Sequence, residues 1–552
     1  MNTRRPLAGP KNDIFTYHLT MKKFFVHAFT ILSVVIALQS CTKDRFRSNY
    51  QDHNRLIHET KNLLDKPFLK AHLKNGDICI LYDSWKIDTI AHNVNGYGTR
   101  FNFNRSLIHE GKITLPIDRV AIFETNKRVE FSESGRIAVL TILAGFDLYI
   151  GIYCMLNPKA CFGSCPTFYI NENDNFHYAD AEGFSSAISP SMEYYDVDAL
   201  NHHTLADSNF SITMKNEALE THCVKEVKLL AYPLNKGERV YHSAINDFYL
   251  CENNYPLSEA KANEGDITWL LKDHDRQERF SLADEKNLSS KEEIYLTFND
   301  VKNPSDLGLI LQFRQSLLTT YIFYSAMGYM GEEVSDIFAK IETDEEIREK
   351  ALTGIMDELG NIDIYVWDGQ TEAWVYQNEF NETGPIAINR QFIPLKIPLP
   401  EPVIKVKIVL NKGLWRMDYV ALTNIKKEVT VNEFTVNQVL NKGKEDSTAL
   451  GQLIDPEKYL ISMPGSKYKF SFPLPGADTT YELFLFSKGY YLEWMREKWI
   501  KDKNLMKLKQ MVDRPKKYLR QQSKDYKQYE ATMEEQFWNS KIETETFLYY
   551  EK

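Results

Sequence analysis

Near the start of the chain lies an apolar run that ends abruptly at a cysteine. This feature limits what kind of protein the sequence can encode more than any other. Lys22 and Lys23 precede the apolar stretch 24–38, and a charged, polar segment begins after Cys41. The run is shorter than the roughly 20 apolar residues that a membrane-spanning helix needs. A basic start followed by a short apolar segment is typical of a secretory signal peptide. We therefore expect the rest of the chain to fold as an exported protein.

The residues that end this run, Leu38-Gln39-Ser40-Cys41, resemble the lipobox of bacterial lipoproteins. The resemblance implies that the chain is cut before Cys41 and that acyl chains are joined to this cysteine. Two acyl chains hold a protein stably on a membrane, whereas one alone is marginal. The alternative is an ordinary signal peptide with an accidental cysteine, or a buried helix. Residues 1–20 fit no signal, which favours Met21 as the true start.

The length and charge of the remaining chain limit its class. Removing the 40 residues before Cys41 from 552 leaves 512, which is too long for one hydrophobic core and predicts three or four domains. The 512 remaining residues include 61 Lys and Arg against 75 Asp and Glu, which gives a net charge of −14. Such a chain is not a general nucleic-acid binder. The full sequence contains 31 tyrosines, 31 phenylalanines and 8 tryptophans, a composition that favours strands.

Short apolar runs between turn residues predict a mainly β, multidomain fold with β-sandwich or jelly-roll-like domains, a helical insertion and a helical C-terminus. The predicted divisions are a leader and signal peptide (1–40), a lipidated cysteine with a flexible tether (41–65), a small β domain with an apolar segment (66–158), a β-sandwich-like domain (159–270), a jelly-roll-like domain with a buried helix (271–430), and a linker, a strand and a helical C-terminal region (431–552).

Four local patterns make this prediction specific. The stretch 361–377 predicts a hairpin that turns at Asp368-Gly369, and the apolar stretch 315–330 predicts a buried helix. The polar stretch 436–450 predicts a linker. Two C-terminal helices are predicted on either side of Pro515. The first of these helices is predicted from Leu492, Met495 and Trp499, which lie at helical spacing.

A second apolar run, residues 137–156, contains 20 residues and one charge, Asp147. Its length alone would allow a membrane span. However, a charged side chain in the middle of a lipid-exposed helix is costly, and a lipid-anchored protein has no need of a second anchor. The sequence therefore predicts an element buried in the protein, with a membrane span as the alternative.

Several motifs resemble those of an uncharacterised family of envelope lipoproteins from Bacteroidetes-type bacteria. They are CFGSCPTFY (161–169), NEALETH (216–222), ETGPIAINRQ (382–391), GLWRMDYVAL (413–422) and SKGYYLEWMREKW (487–499). Together they extend over most of the chain after Cys41. The resemblance implies that the protein is located in the cell envelope, but it implies no biochemical activity. The last strand of GLWRMDYVAL is also similar to the closing strand of galactose-binding-type jelly rolls, which is an analogy of fold only.

The sequence contains none of the zinc-protease, serine-hydrolase or phosphate-binding motifs. We therefore assign no catalytic residue, metal site or cofactor. Trp367, Trp374 and Trp415 lie on strands of the predicted jelly-roll domain, and exposed aromatic rings on such a fold can stack on sugar rings. Packing in the core is the alternative for each of the three.

Six cysteines remain after Cys41, and an even number in an exported chain allows disulfides. Cys161 and Cys165 flank a short Gly-Ser turn, so a local disulfide is possible there, with buried free thiols as the alternative. Glu217, Glu220 and His222 lie close in sequence. Because residues of equal parity share a face of a strand, Glu220 and His222 are predicted to lie together, with Glu217 opposite.

The C-terminal region 496–527 carries a clear excess of Lys and Arg in an acidic chain. It predicts either solvated helix faces or a surface for anionic lipid headgroups or an acidic partner.

These patterns predict a membrane-anchored envelope lipoprotein with a non-catalytic binding or scaffolding role. Its partners would be membrane lipid, through the N-terminal acyl anchor, and an envelope protein or a glycan, with no nucleic acid. The predicted location is the outer membrane, with the body on the periplasmic face and the cell surface as the alternative. The rival function is a glycan-acting hydrolase with a site between domains. A flat aromatic face would favour the binder, and a cleft that gathers Asp and Glu pairs would favour the enzyme.

Overall fold

A computed structural model describes most of the chain from residue 45 to residue 539. The described ranges are 45–50, 53–60, 69–73, 77–82, 84–101, 107–128, 165–170, 179–200, 203–204, 209–218, 220–243, 247–380, 384–397, 401–462, 465–476, 479–493, 499 and 502–539. Almost all of them belong to one compact unit, formed by Phe46–Lys127 and Tyr153–Lys552. Cys41, residues 137–156 and Cys161 lie outside the described ranges, so the predictions made for them stay predictions.

Strands are numbered in chain order. The first group is β1 (Arg45–Tyr50), β2 (Leu69–Leu73), β3 (Ile78–Leu81), β4 (Lys86–Asp88), β5 (Asn93–Phe101), β6 (Leu107–Pro116) and β7 (Val120–Arg128). The second is β8 (Thr167–Tyr169), β9 (Ala181–Glu182), β10 (Tyr194–Ala199), β11 (His203–Thr204), β12 (Asn209–Lys215) and β13 (Glu220–Pro233).

The third group is β14 (Glu238–His242), β15 (Phe248–Pro256), β16 (Glu259–Ala262), β17 (Gly265–Asp266), β18 (Arg279–Phe280), β19 (Lys291–Phe298), β20 (Leu307–Gln315), β21 (Ile362–Asp368), β22 (Ala373–Phe380), β23 (Asn389–Leu395), β24 (Ile404–Asn411) and β25 (Trp415–Val429). The last is β26 (Asn432–Thr435), β27 (Gln438–Asn441), β28 (Lys444–Glu445), β29 (Leu460–Ser462), β30 (Lys467–Pro473) and β31 (Thr480–Glu493).

The helices are α1 (His53–Thr60), α2 (Thr268–Leu271), α3 (Leu318–Met330), α4 (Val334–Thr343), α5 (Glu345–Leu359), α6 (Ser447–Ile454), α7 (Leu505–Asp513) and α8 (Pro515–Asn539). Short 3₁₀ helices lie at Ile117–Arg119, Pro190–Met192 and Gly331–Glu333. Asp344, Asp446 and Asn504 act as N-caps of α5, α6 and α7, because each side chain accepts a hydrogen bond from a backbone N–H of the first turn.

The strands of the described residues form five sheets. Strands β1–β7 make an N-terminal sheet around its own core, in which Trp85 and Leu81 are fully buried. Two further sheets, β10-β31-β13-β26 and β28-β27-β30-β12-β8-β9, share a second core and form the first sandwich. The last two, β14-β15-β25-β20-β23 and β17-β16-β19-β24-β21-β22, share the largest core and form the second sandwich. The predicted mainly β, multidomain fold is therefore confirmed.

The helices between β20 and β21 and at the end of the described chain pack together beside the second sandwich. Leu318 and Ile322 of α3 enter the largest core, together with Tyr518 and Leu519 of α8. The sequence predicted both the buried helix and the break at Pro515, where α8 begins. A proline is well placed at the first position of a helix, since its missing N–H would have no partner there.

Two predictions about the C-terminal third are wrong. The stretch 436–450 is not a linker, because it supplies β27, β28 and the start of α6 to the first sandwich. Leu492 is not helical, since β31 continues to Glu493 and pairs with β13 from Tyr481 to Glu493. The first sandwich thus takes strands from both 167–233 and 432–493, so it crosses the predicted boundaries at 270 and 431. Pairing between strands so distant in sequence leaves no local pattern.

No helix within the described ranges is both long and apolar enough to span a bilayer.

Glu482 of β31 joins the two sandwiches. Its carboxylate is fully buried and accepts hydrogen bonds from Arg239 Nε (2.6 Å) and Nη2 (2.8 Å). It also accepts from Arg390 Nη2 at 2.8 Å and from the backbone N–H of Val240 at 3.2 Å. Both arginines belong to the second sandwich. This ion-paired group therefore fixes one sandwich against the other.

Glu182 of β9 makes a second link of the same kind. Its Oε2 atom accepts hydrogen bonds from the backbone N–H groups of Ile386 (2.7 Å) and Ala387 (3.2 Å). A side chain at Gly384 would collide with this carboxylate, since an added Cβ would lie 2.1 Å from Glu182 Cδ. The segment 384–390 is thus held against the first sandwich by its backbone and by Arg390.

Asp418 is expected to weaken the fold at neutral pH. It is the extra residue of a bulge in β25, between the pairs Gln312↔Tyr419 and Phe313↔Met417. Its side chain is 1% exposed, and burial outweighs the backbone hydrogen bond from Arg276 that favours the charged form. Burial raises the pKa of Asp418 to about 6. The unfolded chain, with a carboxyl pKa of about 3.9, loses this proton first, so stability falls as the pH rises from about 4 to about 6.

We predict that Asp418→Asn raises the free energy of unfolding at pH 8 by roughly 1 to 3 kcal/mol, since no buried charge remains. The gain should vanish near pH 4, where both proteins carry a neutral side chain. Chemical unfolding at the two pH values measures this difference. A variant that is less stable at pH 8, or equally changed at both pH values, would contradict the account.

Candidate functional site

The outer surface of the sheet β17-β16-β19-β24-β21-β22 carries the candidate site. Strand β21 shows why. Its residues Ile362, Ile364 and Val366 are buried in the core, while Asp363, Tyr365 and Trp367 alternate with them and point outward. Since successive side chains of a strand point to opposite faces, one hydrophobic set fills the sandwich and the other lines its surface.

Five aromatic side chains gather on this surface, and we call them the aromatic face: Tyr295, Tyr365, Trp367, Trp374 and Tyr376. They come from β19, β21 and β22. Trp367 lies directly opposite Trp374 in the ladder, and a bulge between Ile364 and Tyr365 brings Tyr365 opposite Tyr376. The pairs Trp367–Trp374 and Tyr365–Tyr376 are T-shaped, with ring centroids 5.3 Å and 5.5 Å apart.

The aromatic face is continuous across the sheet and partly open to solvent. Tyr295 reaches Trp374 from the other side, with ring centroids 5.7 Å apart. Tyr295 and Tyr376 expose 42% and 50% of their surface, while Tyr365, Trp367 and Trp374 are half-buried. Contiguous exposed apolar surface of this kind marks interaction sites more often than isolated exposed side chains do.

Lys407 of β24 lies beneath the rings and orders them. It is opposite both Tyr295 and Tyr365 in the ladder. Its ammonium group is 4.8 Å from the centroid of the Tyr365 ring and 5.6 Å from that of Trp374. It also pairs with Glu293 at 3.3 Å. Cation–π contacts of this type hold rings at a fixed tilt.

Glu293 links this lysine to Tyr295. The Tyr295 hydroxyl donates a hydrogen bond to Glu293 Oε2, which lowers the pKa of the carboxyl and raises the pKa of the phenol. The aromatic face is thus organised before any ligand arrives.

One end of the aromatic face is acidic. Asp363 and Glu379 lie directly opposite each other in the β21–β22 ladder. Burial, and then the charge of Glu379, raise the pKa of Asp363. Lys291 lies near both carboxylates and donates a hydrogen bond to the carbonyl of Leu359 at the end of α5. Burial lowers the pKa of Lys291.

The structure brings together two of the three tryptophans that the sequence selected. Trp367 and Trp374 form the central pair of the aromatic face. Trp415 does not belong to it, because this side chain is 1% exposed and packs in the core, 5.7 Å from the ring of Phe313. Trp415 therefore offers no ring to a sugar, and its assignment as a contact is corrected.

The three tyrosines of the aromatic face were not among the residues that the sequence predicted. The alternation in IDIYVWD already places Tyr365 on the same side as Trp367. Tyr295 and Tyr376 could not be placed in the same way, since their position depends on strand pairing and on the bulge.

The remaining candidate residues have structural roles. Glu220 and His222 are fully buried and lie together, with a hydrogen bond of 2.8 Å between His222 Nε2 and Glu220 Oε1. Glu217 accepts hydrogen bonds from Thr167 (2.8 Å) and Tyr169 (2.7 Å). Glu220 and His222 are two positions apart in a strand, and this spacing predicted that they share a face. No group of His, Cys, Asp and Glu among the described residues is arranged to hold a metal ion.

Cys165 is a buried free thiol, and burial raises its pKa well above the usual range. Cys165 therefore follows the alternative of a buried free thiol rather than the possible local disulfide, and Cys161 itself lies outside the described residues.

Comparisons with known proteins give this chain no family. No protein-family model matches the sequence, and no curated protein matches it. Among solved structures, it is similar to a β-porphyranase of glycoside hydrolase family 86 from the human gut bacterium Bacteroides plebeius, with 9% identity and a TM-score of 0.17 over 45% of this chain and 39% of that chain. It is also similar to the secreted serine protease VesC from Vibrio cholerae, with 7% identity and a TM-score of 0.11 over 42% of this chain and 50% of that chain. The chain therefore spans half or less of the length of either protein.

Proposed function

We propose that this protein is a lipid-anchored envelope lipoprotein with a non-catalytic binding role, and that its ligand is a glycan chain laid on the aromatic face. The observation that supports this function is the set of five partly exposed rings on one sheet surface. A flat, aromatic-rimmed face favours a binder over an enzyme, which would need a cleft that gathers Asp and Glu pairs.

The chemistry of a sugar suits such a surface. A pyranose ring presents C–H groups on its faces and hydroxyl groups around its edge, so its faces pack on aromatic rings while its edge stays hydrated. The rings of the aromatic face are already held by Lys407, Glu293 and each other. A site that is ordered before binding loses little side-chain entropy when the ligand arrives.

The scaffold also suits a binding role. The aromatic face rests on the largest core of the protein, in which Ile362, Ile364, Val406 and Ile408 are fully buried directly below it. Sites built on strands keep their geometry better than sites built on loops.

The anchor has its own test. We predict that Cys41→Ser, expressed in a bacterium that processes lipoproteins, abolishes fatty-acid labelling and either blocks cleavage or moves the protein from the membrane to the soluble fraction. One or two acyl chains provide most of the membrane affinity in such an anchor. Ser40→Ala is a suitable control, since it leaves the cysteine in place. An unmodified Cys41 in the mature wild-type protein would contradict the anchoring.

We place the body in the periplasm, anchored to the outer membrane. The residues after the cysteine are Thr42, Lys43, Asp44 and Arg45, which contain too few acidic groups to resemble a surface-export signal. Protease treatment of intact cells tests this placement. The body should survive together with a periplasmic marker, and its removal by external protease would show that the protein lies on the cell surface.

A retention screen tests the glycan. The purified full chain without its signal peptide is run through native gels that contain glucans, mannans, galactans, xylans or their acidic counterparts. We expect slower migration in at least one polysaccharide, and loss of the delay in Trp367→Ala and Trp374→Ala. Trp269, which is 61% exposed on α2, supplies the matched control Trp269→Ala. If no polysaccharide delays the protein, while the protein does bind another envelope protein, the glycan assignment is contradicted.

One observation favours the rival enzyme. Asp363, with its raised pKa, lies opposite Glu379 at the end of the aromatic face. A carboxyl group with a raised pKa can serve as a general acid beside a second carboxylate. If the protein is a hydrolase, Asp363→Asn and Glu379→Gln should abolish release of reducing ends from a retained glycan. If it is a binder, no such release is seen with the wild-type protein.

A further inference from the structure

A groove of about 210 Å³ opens beside the aromatic face. Trp367 belongs to both, because it lines the groove and its ring makes the T-shaped contact with Trp374. Ile397 and Val403 also line the groove. Val403 exposes 42% of its surface, so the groove is open and apolar on this side.

Two charged side chains, Glu401 and Lys405, also line the groove. Both are exposed, and neither forms a hydrogen bond or an ion pair with any other residue that the structure describes. A carboxylate accepts hydrogen bonds and an ammonium group donates them. The groove thus combines an aromatic wall with one free acceptor and one free donor, which is the composition expected for a small hydroxylated ligand.

The charges around the groove nearly cancel. Glu401 and Lys405 compensate each other inside it. On the adjoining surface, Lys291 and Lys407 face the carboxylates Glu293, Asp363 and Glu379. The whole chain is acidic, with a net charge of −10. A polyanion would therefore find no compensating positive surface around the groove.

We propose that this groove is a subsite that seats one sugar ring of a neutral polysaccharide against Trp367, with its hydroxyl groups on Glu401 and Lys405. This inference rests on the proposed glycan-binding function and adds the class of glycan and the residues that select it. The polysaccharide that is bound on the aromatic face enters the groove at Trp367, because this residue belongs to both surfaces.

Matched polysaccharide pairs test the charge preference. The pairs are hydroxyethylcellulose with carboxymethylcellulose, galactan with polygalacturonate, and mannan with alginate. Within the pair that contains the retained glycan, we expect the wild-type protein to bind the neutral member at least tenfold more tightly. An acidic member bound as tightly as its neutral partner would overturn the proposed preference.

Two conservative variants test the subsite. Glu401→Gln and Lys405→Gln are each expected to weaken binding of the neutral polysaccharide about tenfold, because each removes a charged hydrogen-bonding partner. Lys396→Gln, an exposed lysine outside the groove lining, is the control and should bind as the wild type does. Unchanged affinity in both groove variants would overturn the subsite.

These outcomes are distinct from a failure of the proposed function. If the groove variants bind normally while Trp374→Ala does not, the aromatic face binds glycan and the groove plays no part. If the wild-type protein binds no polysaccharide of either charge, the glycan-binding function itself is wrong, and the subsite falls with it.

Discussion

Replacing Glu482 by glutamine is expected to lower the free energy of unfolding by about 3–5 kcal/mol. The carboxylate of Glu482 is fully buried between two arginines, with contacts of 2.6 Å and 2.8 Å to Arg239 and of 2.8 Å to Arg390. Glutamine has nearly the same shape, so the packing is kept while the negative charge is lost. The two guanidinium groups, whose side chains are 27% and 11% exposed, then remain desolvated without a counter-charge.

The same group predicts how stability changes with acid. Burial acts to raise the pKa of Glu482, but the hydrogen bond from Arg239 and the charge of Arg390 outweigh it, so this pKa lies below its usual value. A carboxyl group with a lowered folded-state pKa contributes stability that is present above its unfolded pKa, about 4.3. That contribution is lost as the pH falls through the folded pKa. The wild-type protein should therefore lose more stability below about pH 4 than Glu482→Gln does.

Urea unfolding of the two proteins measures both effects, and Glu433→Gln is the matched control. Glu433 pairs with Lys228 at 3.1 Å, but its side chain is 61% exposed. An exposed pair contributes only about 0–1 kcal/mol, so the control should stay close to the wild type. A loss in Glu482→Gln no larger than that in Glu433→Gln would show that this buried group does not hold the two sandwiches together.

The parts of the fold that the sequence predicted are those that depend on neighbouring residues. The hairpin at Asp368-Gly369 follows from alternating residues and a turn, and the structure confirms it: β21 ends at Asp368, and β22 begins at Ala373. The buried helix α3 follows from an apolar run that is long enough for three turns. In both cases one stretch of chain carries all the information.

The parts that sequence reasoning missed depend on distant pairing. The stretch 436–450 is polar because β27 and β28 lie toward the edge of a sheet, and a polar edge strand looks like a linker. Trp415 and Trp367 are both tryptophans on strands, and only the position of each in its ladder decides that one is buried and the other half-exposed. The five rings of the aromatic face meet through a bulge and through Lys407, which no single segment reveals.

Trp374→Ala should have the largest effect on ligand binding of any single change in the aromatic face. Its ring touches Trp367, Tyr295 and the ammonium group of Lys407, at 5.3 Å, 5.7 Å and 5.6 Å from its centroid. Removing it takes away one contact surface and frees its neighbours to tilt. Central aromatic anchors typically contribute 2 kcal/mol or more, so affinity should fall by at least about thirtyfold.

The matched control for this change is Trp269→Ala, since Trp269 is 61% exposed and belongs to α2. Trp374→Phe keeps a smaller ring in the same place and should lose less affinity than Trp374→Ala. Circular dichroism and thermal unfolding of each variant show whether the fold is kept, because Trp374 is half-buried and contributes to the surface packing of β22.

Calorimetric titration of the retained polysaccharide into wild type, Trp374→Ala and Trp269→Ala tests the central claim most directly. The account predicts saturable binding to the wild type and to Trp269→Ala, with binding to a folded Trp374→Ala weakened at least about thirtyfold. Equal affinity of all three folded proteins would contradict it, since the glycan would then bind somewhere other than the aromatic face.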